Sequence, residues 1–245
     1  MSASERREKR LAKKEEKRKA ALAREEARRQ RFEERCAALC ARGFVLKDCT
    51  LKILSANVWG ILTALPFAAG AAALFVAFAE PRLLLTGSPL IDLFLFVFCM
   101  AASLPVHEGL HALCWAAVSR SFAGIRFGFD SKTLTPYCAS ETPMRRAGYL
   151  FGCLAPFVIL GAAPAAAAVL SGYLFLIAAG VVNILSAGGD LLVFFRTFAC
   201  KKGSIFLDHP SLCGFYAFSL RGRPEALSER CEQSQTGEKQ EKDET

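Results

Sequence analysis

One apolar segment with a small polar cluster near its end decides the fold. Residues 90–118 read LIDLFLFVFCMAASLPVHEGLHALCWAAV, and their acidic and histidine side chains are Asp92, His107, Glu108 and His111. A helix of about 20 apolar residues is long enough to cross the hydrocarbon core of a bilayer. The segment is therefore predicted to be a transmembrane helix. Its polar residues need a specific role, because an ionisable side chain at mid-bilayer costs about 2.5–3.5 kcal/mol.

Three further segments, at 53–79, 147–171 and 173–199, are similarly apolar. Together with 90–118 they predict an all-α integral membrane protein with about four transmembrane helices. Pro156 and Pro164 are expected to bend the third span, because proline interrupts the helical hydrogen-bond ladder. Hydrophobic residues make up 53% of the chain and are sorted away from the charged ones. This sorting excludes a soluble globular domain and a disordered protein as descriptions of the whole chain.

Charge is concentrated at the start of the chain. Residues 1–35 hold 14 Lys and Arg against 8 Asp and Glu, within a net charge of +8 for the whole chain. We predict a charged helical arm at 1–44, a polytopic membrane core at 45–220 and a disordered polar tail at 221–245. The arm is either simply solvated or attracted to the anionic headgroups of the lipid bilayer. Nucleic acid is not an expected partner, because acidic residues are interleaved and aromatic residues are scarce in the arm.

The distribution of Lys and Arg among the loops predicts the orientation in the membrane. The loop at 119–146 has five of these residues, whereas the loop at 80–89 has one. The positive-inside rule then predicts a multi-pass cell-membrane protein with both termini and the 119–146 loop in the cytoplasm. A period-two alternation within 124–137 predicts a small cytoplasmic β-hairpin-like insert. A strand in this insert either captures an unwound peptide by pairing along its edge, or it only covers the polar cluster near the end of the 90–118 segment.

Residues 107–111 form an H-E-x-x-H sequence, which predicts a zinc site. His107 and His111 lie four positions apart on one helix face, so both imidazoles can bind the same ion. Glu108 lies about 100° around the helix from His107, where its carboxylate can act as a base on water without being a ligand. Zn²⁺ is the predicted cofactor and Glu108 the predicted catalytic residue. The ten cysteines include no C-x-x-C pair, so a zinc ribbon is not indicated.

A hydrolytic zinc site usually has a third protein ligand, and Asp190 is predicted to supply it. Asp190 lies 17 residues into the span that begins at 173, and His107 lies 17 residues into the span that begins at 90. Because both spans are predicted to run in the same direction, the two side chains are expected at the same depth. His209 is an alternative ligand, but it follows the span and would have to return to the site.

Three residues close to Asp190 are candidates for supporting roles. Gly188 and Gly189 allow a close approach of another helix or a local loosening of their own. Asn183 lies two turns earlier on the same face, where it either contacts the metal shell or a substrate carbonyl, or forms an interhelical hydrogen bond.

Taken in order, these motifs resemble the zincin peptidases of bacterial membranes, which are relatives of the site-2 proteases. The resemblance covers roughly residues 45–216, and it differs from the site-2 proteases at Gly189-Asp190-Leu191, where those enzymes usually have Leu-Asp-Gly. It implies a zinc-dependent intramembrane endopeptidase that acts on membrane-embedded or membrane-proximal peptides or proteins. The motifs that carry it are HEGLH at 107–111, TPYC at 135–138, LAP at 154–156, the stretch from Asn183 to Asp190, and DHP at 208–210.

Two non-peptidase functions are alternatives. A non-catalytic, zinc-stabilised membrane scaffold would not need Glu108. A metal permease would be expected to carry polar residues through the full depth of its spans, and the segments at 53–79 and 147–171 lack charged residues.

Overall fold

The computed structural model describes residues 3–83, 85–130, 135–210 and 212–220. The polar tail predicted at 221–245 lies outside the described residues. Most of the described chain is helical. The helices are α1 (Ala3–Ala41), α2 (Ile53–Phe78), α3 (Pro89–Ser119), α4 (Arg146–Pro156), α5 (Ala163–Ser171), α6 (Leu174–Ser186) and α7 (Gly188–Phe198).

Within the described residues, three helical segments are long and apolar enough to cross a membrane. They are α2, α3, and the continuous run from α4 to α5, whose middle is the π-helical segment Phe157–Ala162. Pro156 immediately precedes the π-helical segment and Pro164 lies in the first turn of α5. Proline lacks the N–H that would continue the ladder, which accounts for the change of hydrogen-bond register between them.

The predicted fourth span at 173–199 is not one straight helix. α6 and α7 are long and apolar enough to cross a membrane only when they are taken together, and the chain bends by 50° at the break between them. The break falls at Ala187, directly before Gly188 and Gly189, where a helix has little side-chain packing to keep it straight. The first residues of α7, including Asp190, therefore follow a new axis.

The chain is mostly helical, as predicted, and the described residues also form two small sheets, of which the prediction included only a hairpin-like insert. The strands are β1 (Phe44–Leu51), β2 (Ile125–Asp130), β3 (Thr135–Ser140), β4 (Met144–Arg145), β5 (Ile205–Asp208) and β6 (Cys213–Leu220). The antiparallel order of the larger sheet is β1-β6-β5-β4, so the segment before α2 pairs with segments that follow α7. The smaller sheet is an antiparallel hairpin of β2 and β3, within the 119–146 loop.

The larger sheet is held against the helices by an aromatic core. Phe206 and Phe215 are fully buried and lie 5.1 Å apart between ring centroids. Tyr149 of α4 contacts both rings at 5.5 Å, and Trp115 of α3 stacks on the other side of Tyr149. Burying rings of this size is a large part of what stabilises such a junction. The core therefore joins the sheet to the ends of α3 and α4.

A close crossing of α2 and α7 sets the position of the residues around Asp190. A Cβ atom added to Gly60 would lie 2.7 Å from the Gly189 nitrogen, and one added to Gly188 would lie 2.4 Å from the Gly60 oxygen. Backbone atoms cannot move aside as a flexible side chain can. Both positions therefore require glycine for the two helices to touch.

We expect Gly60→Ala to push α7 away from α2. Overpacking of this kind costs about 1–3 kcal/mol of stability, and it also displaces Asp190. Thermal unfolding of the purified protein in detergent should show a lower midpoint, and metal binding should weaken. The matched control is Gly70→Ala on the same helix, where an added Cβ meets nothing within 4 Å. Equal behaviour of the two variants would contradict the crossing.

Candidate metal centre

The two histidines of α3 point into the interior of the molecule. His107 is 8% exposed and His111 is 3% exposed, and their ring centroids lie 5.0 Å apart. The four-residue spacing on a regular helix puts both imidazoles on one face, as the sequence predicts. Most other residues of this helix are apolar, so two buried imidazoles need polar partners.

Asp190 at the start of α7 lies directly against both histidines. Its Oδ2 is 3.0 Å from Nε2 of His107, and its Oδ1 is 3.3 Å from Nε2 of His111. One ligand atom from each of the three residues lies within 4.8 Å of the other two. The break between α6 and α7 matters here, because it directs the first turn of α7 toward α3.

The orientation of His111 is set by contacts on its other side. Its Nδ1 is 2.9 Å from the carbonyl oxygen of Gly152, which can only accept a hydrogen bond. Nδ1 therefore carries a proton, and Nε2 is the ring nitrogen that faces Asp190. The ring of His111 also stacks on Trp115, with centroids 5.2 Å apart and planes at 17°.

The donor set fits a zinc ion. Two imidazole nitrogens and a carboxylate oxygen are ligands that Zn²⁺ accepts, and three protein ligands leave one coordination position for water or substrate. The fixed tautomer of His111 supplies the neutral Nε2 that a metal requires. His107, His111 and Asp190 are therefore the residues that could hold the ion.

Glu108 adjoins this group but is not one of its three members. Its carboxylate interacts electrostatically with His107, His111 and Asp190, and it faces the backbone N–H of Cys138 on β3. Its side chain is only partly buried. A carboxylate beside the potential ligands is suited to taking a proton from a water molecule at the site.

The outer edge of β3 lies beside Glu108. The Glu141 N–H donates to the Gly124 carbonyl at 2.8 Å, which makes this a hydrogen-bonded pair at the end of the hairpin. Because such pairs alternate along an antiparallel ladder, Cys138 and Ser140 direct their N–H groups away from β2. The Cys138 N–H meets Glu108, and the Ser140 N–H donates to Oδ2 of Asp208 at 2.8 Å.

The remaining residues singled out in the sequence are placed as follows. Asn183 is buried, and its Nδ2 donates to the carbonyl of Ala179 on its own helix at 2.9 Å. Gly188 makes the crossing with α2, whereas an added Cβ at Gly189 would meet nothing within 4 Å. Neither glycine offers a side chain to the metal site.

His209 lies apart from the other two histidines. Its ring contacts Phe32 at 5.3 Å and Tyr216 at 5.4 Å, and its Nδ1 accepts the N–H of Leu212 at 3.0 Å. Burial lowers the pKa of His209, which agrees with a neutral ring that accepts this hydrogen bond. Among the described residues, the three-residue group of potential ligands does not include it.

Two cysteine thiols on the strands lie near enough to interact with Asp190. Burial raises the pKa of the Cys138 thiol to about 12 and that of the Cys213 thiol to about 11. Both are therefore neutral at pH 7 unless a metal takes them as ligands. Among the described residues, the group that brings three potential ligand atoms together contains no cysteine.

Contacts from distant parts of the chain are what sequence reasoning missed. The Gly152 carbonyl and the Cys138 N–H are backbone groups, which leave no signal in a residue pattern. Asp208 does carry a signal in the sequence, because it is an acidic residue inside an apolar stretch.

The buried Asp208 should make stability depend on pH. Burial raises its pKa to about 6 from an ordinary value of 3.8, although Ser140 and Tyr149 donate hydrogen bonds to it. The folded state then keeps a proton that the unfolded state has lost, so stability falls as the pH rises from about 4 to about 6. We expect the wild type to lose up to about 3 kcal/mol relative to Asp208→Asn across this window. Unfolding measured at a series of pH values checks this, and parallel curves for the two proteins would contradict it.

Comparison with known proteins identifies the central part of the chain. Residues 100–205 match the model of a family described as "Putative zincin peptidase". The matched region begins in α3 before the H-E-x-x-H sequence and ends at the start of β5, so it contains all three potential ligands. The resemblance to zincin peptidases predicted from the sequence is thereby confirmed for residues 100–205. No curated protein and no solved structure matches the chain.

Proposed function

We propose that the protein is a zinc-dependent endopeptidase that hydrolyses peptide bonds of membrane-embedded or membrane-proximal substrates. The observation that carries this proposal is the convergence of His107, His111 and Asp190 from α3 and α7, with Glu108 beside them. α3 is a candidate membrane span, and α7 is half of a bent one. A purely structural zinc site would fit the three ligands equally well, but it would not need a carboxylate at Glu108 that lies beside the ligands without being one of them.

The roles of the residues follow from their positions. His107, His111 and Asp190 would hold zinc, which when bound supplies Lewis acidity that makes water more acidic and polarises a carbonyl. Glu108 takes the proton from the attacking water and then delivers it to the leaving amine. The N–H of Cys138 orients the Glu108 carboxylate between these two steps. The Gly152 carbonyl keeps the imidazole of His111 in its ligand tautomer.

The substrate is proposed to bind as an extended strand. A transmembrane helix hides its carbonyls in its own hydrogen bonds, so its peptide bonds become reachable only after local unwinding. The outer edge of β3 offers backbone carbonyls next to Glu108, and N–H groups of an unwound segment that donate to these carbonyls would hold the segment in place. Because β3 packs against α3, such a segment would lie across the group of ligands.

The location in the cell remains a prediction in its details. The apolar helices support an association with the lipid bilayer. With the termini and the β2–β3 hairpin in the cytoplasm, as the loop charges predict, the substrate segment would be presented from the cytoplasmic side.

A reconstitution experiment distinguishes the three candidate functions. The purified protein is placed in vesicles that contain a zinc indicator, together with fluorescently labelled casein and an apolar peptide long enough to span the bilayer. We expect cleavage of at least one probe, its loss with 1,10-phenanthroline and its return with added Zn²⁺. Zinc entry without cleavage would indicate a permease instead. Zinc that only raises the unfolding temperature, with no cleavage and no uptake, would indicate a scaffold.

A further inference from the structure

Asp208 connects three parts of the fold through one carboxylate. It ends β5, its Oδ2 accepts the N–H of Ser140 on β3 at 2.8 Å, and its Oδ1 accepts the hydroxyl of Tyr149 on α4 at 2.5 Å. Hydrogen bonds to an ionised acceptor are short and stronger than neutral ones. The same side chain therefore ties the hairpin to the helix that supplies the Gly152 carbonyl.

Tyr149 is itself held rigidly relative to the ligands. Its ring stacks between Trp115 and Phe206 with both interplanar angles at 16°, and Trp115 stacks in turn on His111. The indole N–H of Trp115 also donates to the Tyr149 carbonyl at 3.1 Å. The position of the Tyr149 hydroxyl is thus fixed relative to His111. Asp208, which binds both this hydroxyl and the Ser140 N–H, fixes the position of β3 relative to His111 in turn.

The two outward N–H groups of β3 meet two different carboxylates. The Ser140 N–H donates to Asp208, and the Cys138 N–H, one ladder step along the same edge, faces the Glu108 carboxylate. In an antiparallel hairpin these positions are about 6–7 Å apart. A shift of the strand at Ser140 is therefore transmitted to Cys138.

We infer that Asp208 is a positioning residue that holds the edge of β3 in register against Glu108, so that a bound peptide segment lies across the metal ligands. This inference rests on the proposed function. Asp208 does not touch the reacting atoms in this account, because it acts through the backbone of β3. Its loss should leave the ligands in place and free the hairpin to move.

The position of β3 can be measured without any turnover. We expect Asp208→Ala to speed amide hydrogen exchange in peptides that cover 135–141 by at least about tenfold, the equivalent of a lost hydrogen bond to a charged group. Peptides from α3 and α5 should be unchanged. Tyr149→Phe keeps the stacked ring and removes one of the two bonds, so its effect should be smaller but in the same peptides.

The matched control is Asp92→Ala. Asp92 also accepts two backbone N–H bonds and a hydroxyl bond, from Leu85 and Thr86, but it lies about 22 Å along α3 from His107. It should affect exchange only near residues 85–86. Unchanged exchange at 135–141 in Asp208→Ala would overturn the inference, and so would an increase spread evenly over the whole protein.

A pair of inhibitors separates strand positioning from metal binding. Acetohydroxamate can bind only the metal, whereas a peptidyl hydroxamate can also pair with β3. For the zinc-loaded protein, Asp208→Ala should weaken the peptidyl compound at least about tenfold and leave acetohydroxamate within about twofold. Equal weakening of both would overturn the inference. If neither compound binds the wild type, the proposed function fails, and hydrogen exchange still decides whether Asp208 positions β3.

Discussion

Replacing Glu108 with glutamine is expected to abolish peptide hydrolysis while the metal stays bound. Glutamine keeps the size and shape of the side chain but cannot accept a proton from water. Loss of a general base costs about 10²–10⁴ in rate. The expected result is a fall of this size in kcat, measured on membranes or vesicles that contain either protein. The zinc content should stay equal, because Glu108 is not among the three residues that could hold the ion.

Glu80→Gln is the matched control for this prediction. Glu80 is exposed in the connection between α2 and α3, far along the chain from the ligands. The substitution there makes the same chemical change as Glu108→Gln but does not alter a residue of the site. It should cleave like the wild type. If Glu108→Gln cleaves the same membrane proteins at the same rate as the wild type, the assignment of a base to this position is wrong.

Replacing Asp190 with alanine is expected to remove the metal. The substitution takes away one of three ligands and leaves two buried imidazoles without their carboxylate partner. Even a residue that only hydrogen-bonds to a metal ligand is worth about 10–100-fold in metal affinity, so loss of a direct ligand should weaken metal binding by more than about 100-fold. Zinc per chain by mass spectrometry, and competition with a coloured chelator, measure this.

His209→Ala serves as the control, because His209 is the alternative ligand that the sequence left open. Its contacts are with Phe32, Tyr216 and the Leu212 N–H. The variant should therefore bind zinc with the affinity of the wild type. Zinc retained in Asp190→Ala and lost in His209→Ala would reverse the ligand assignment.

The potential ligands could be predicted from the sequence because local rules place them. To place His107 and His111 on one face, it is enough that their segment is a helix. To place Asp190 at the same depth, it is enough to count residues from the start of two spans that are predicted to run in the same direction. Charge is so scarce in these spans that each ionisable residue stands out. The bend at Ala187 was harder to foresee, since the Gly188-Gly189 pair permits a break without requiring one.

The larger sheet and the hairpin contacts could not be predicted in the same way. β1 and β6 are separated along the chain by all the helices from α2 to α7, and no local periodicity records which distant strand a segment pairs with. The link from Asp208 through Ser140 to the neighbourhood of Glu108 depends on that pairing. Local sequence patterns thus predict the potential ligands and Glu108. A residue that positions them, such as Asp208, is recognised only once the fold is known.

The central claim is that His107, His111 and Asp190 form one zinc site, and X-ray absorption at the zinc edge of the purified protein tests it most directly. We expect one zinc per chain with two imidazole nitrogens at about 2.0–2.1 Å, oxygen ligands at about 2.0–2.2 Å and no sulfur. A sulfur shell at about 2.3 Å, from a thiol such as Cys138 or Cys213, or a spectrum with fewer than two imidazoles, would contradict it.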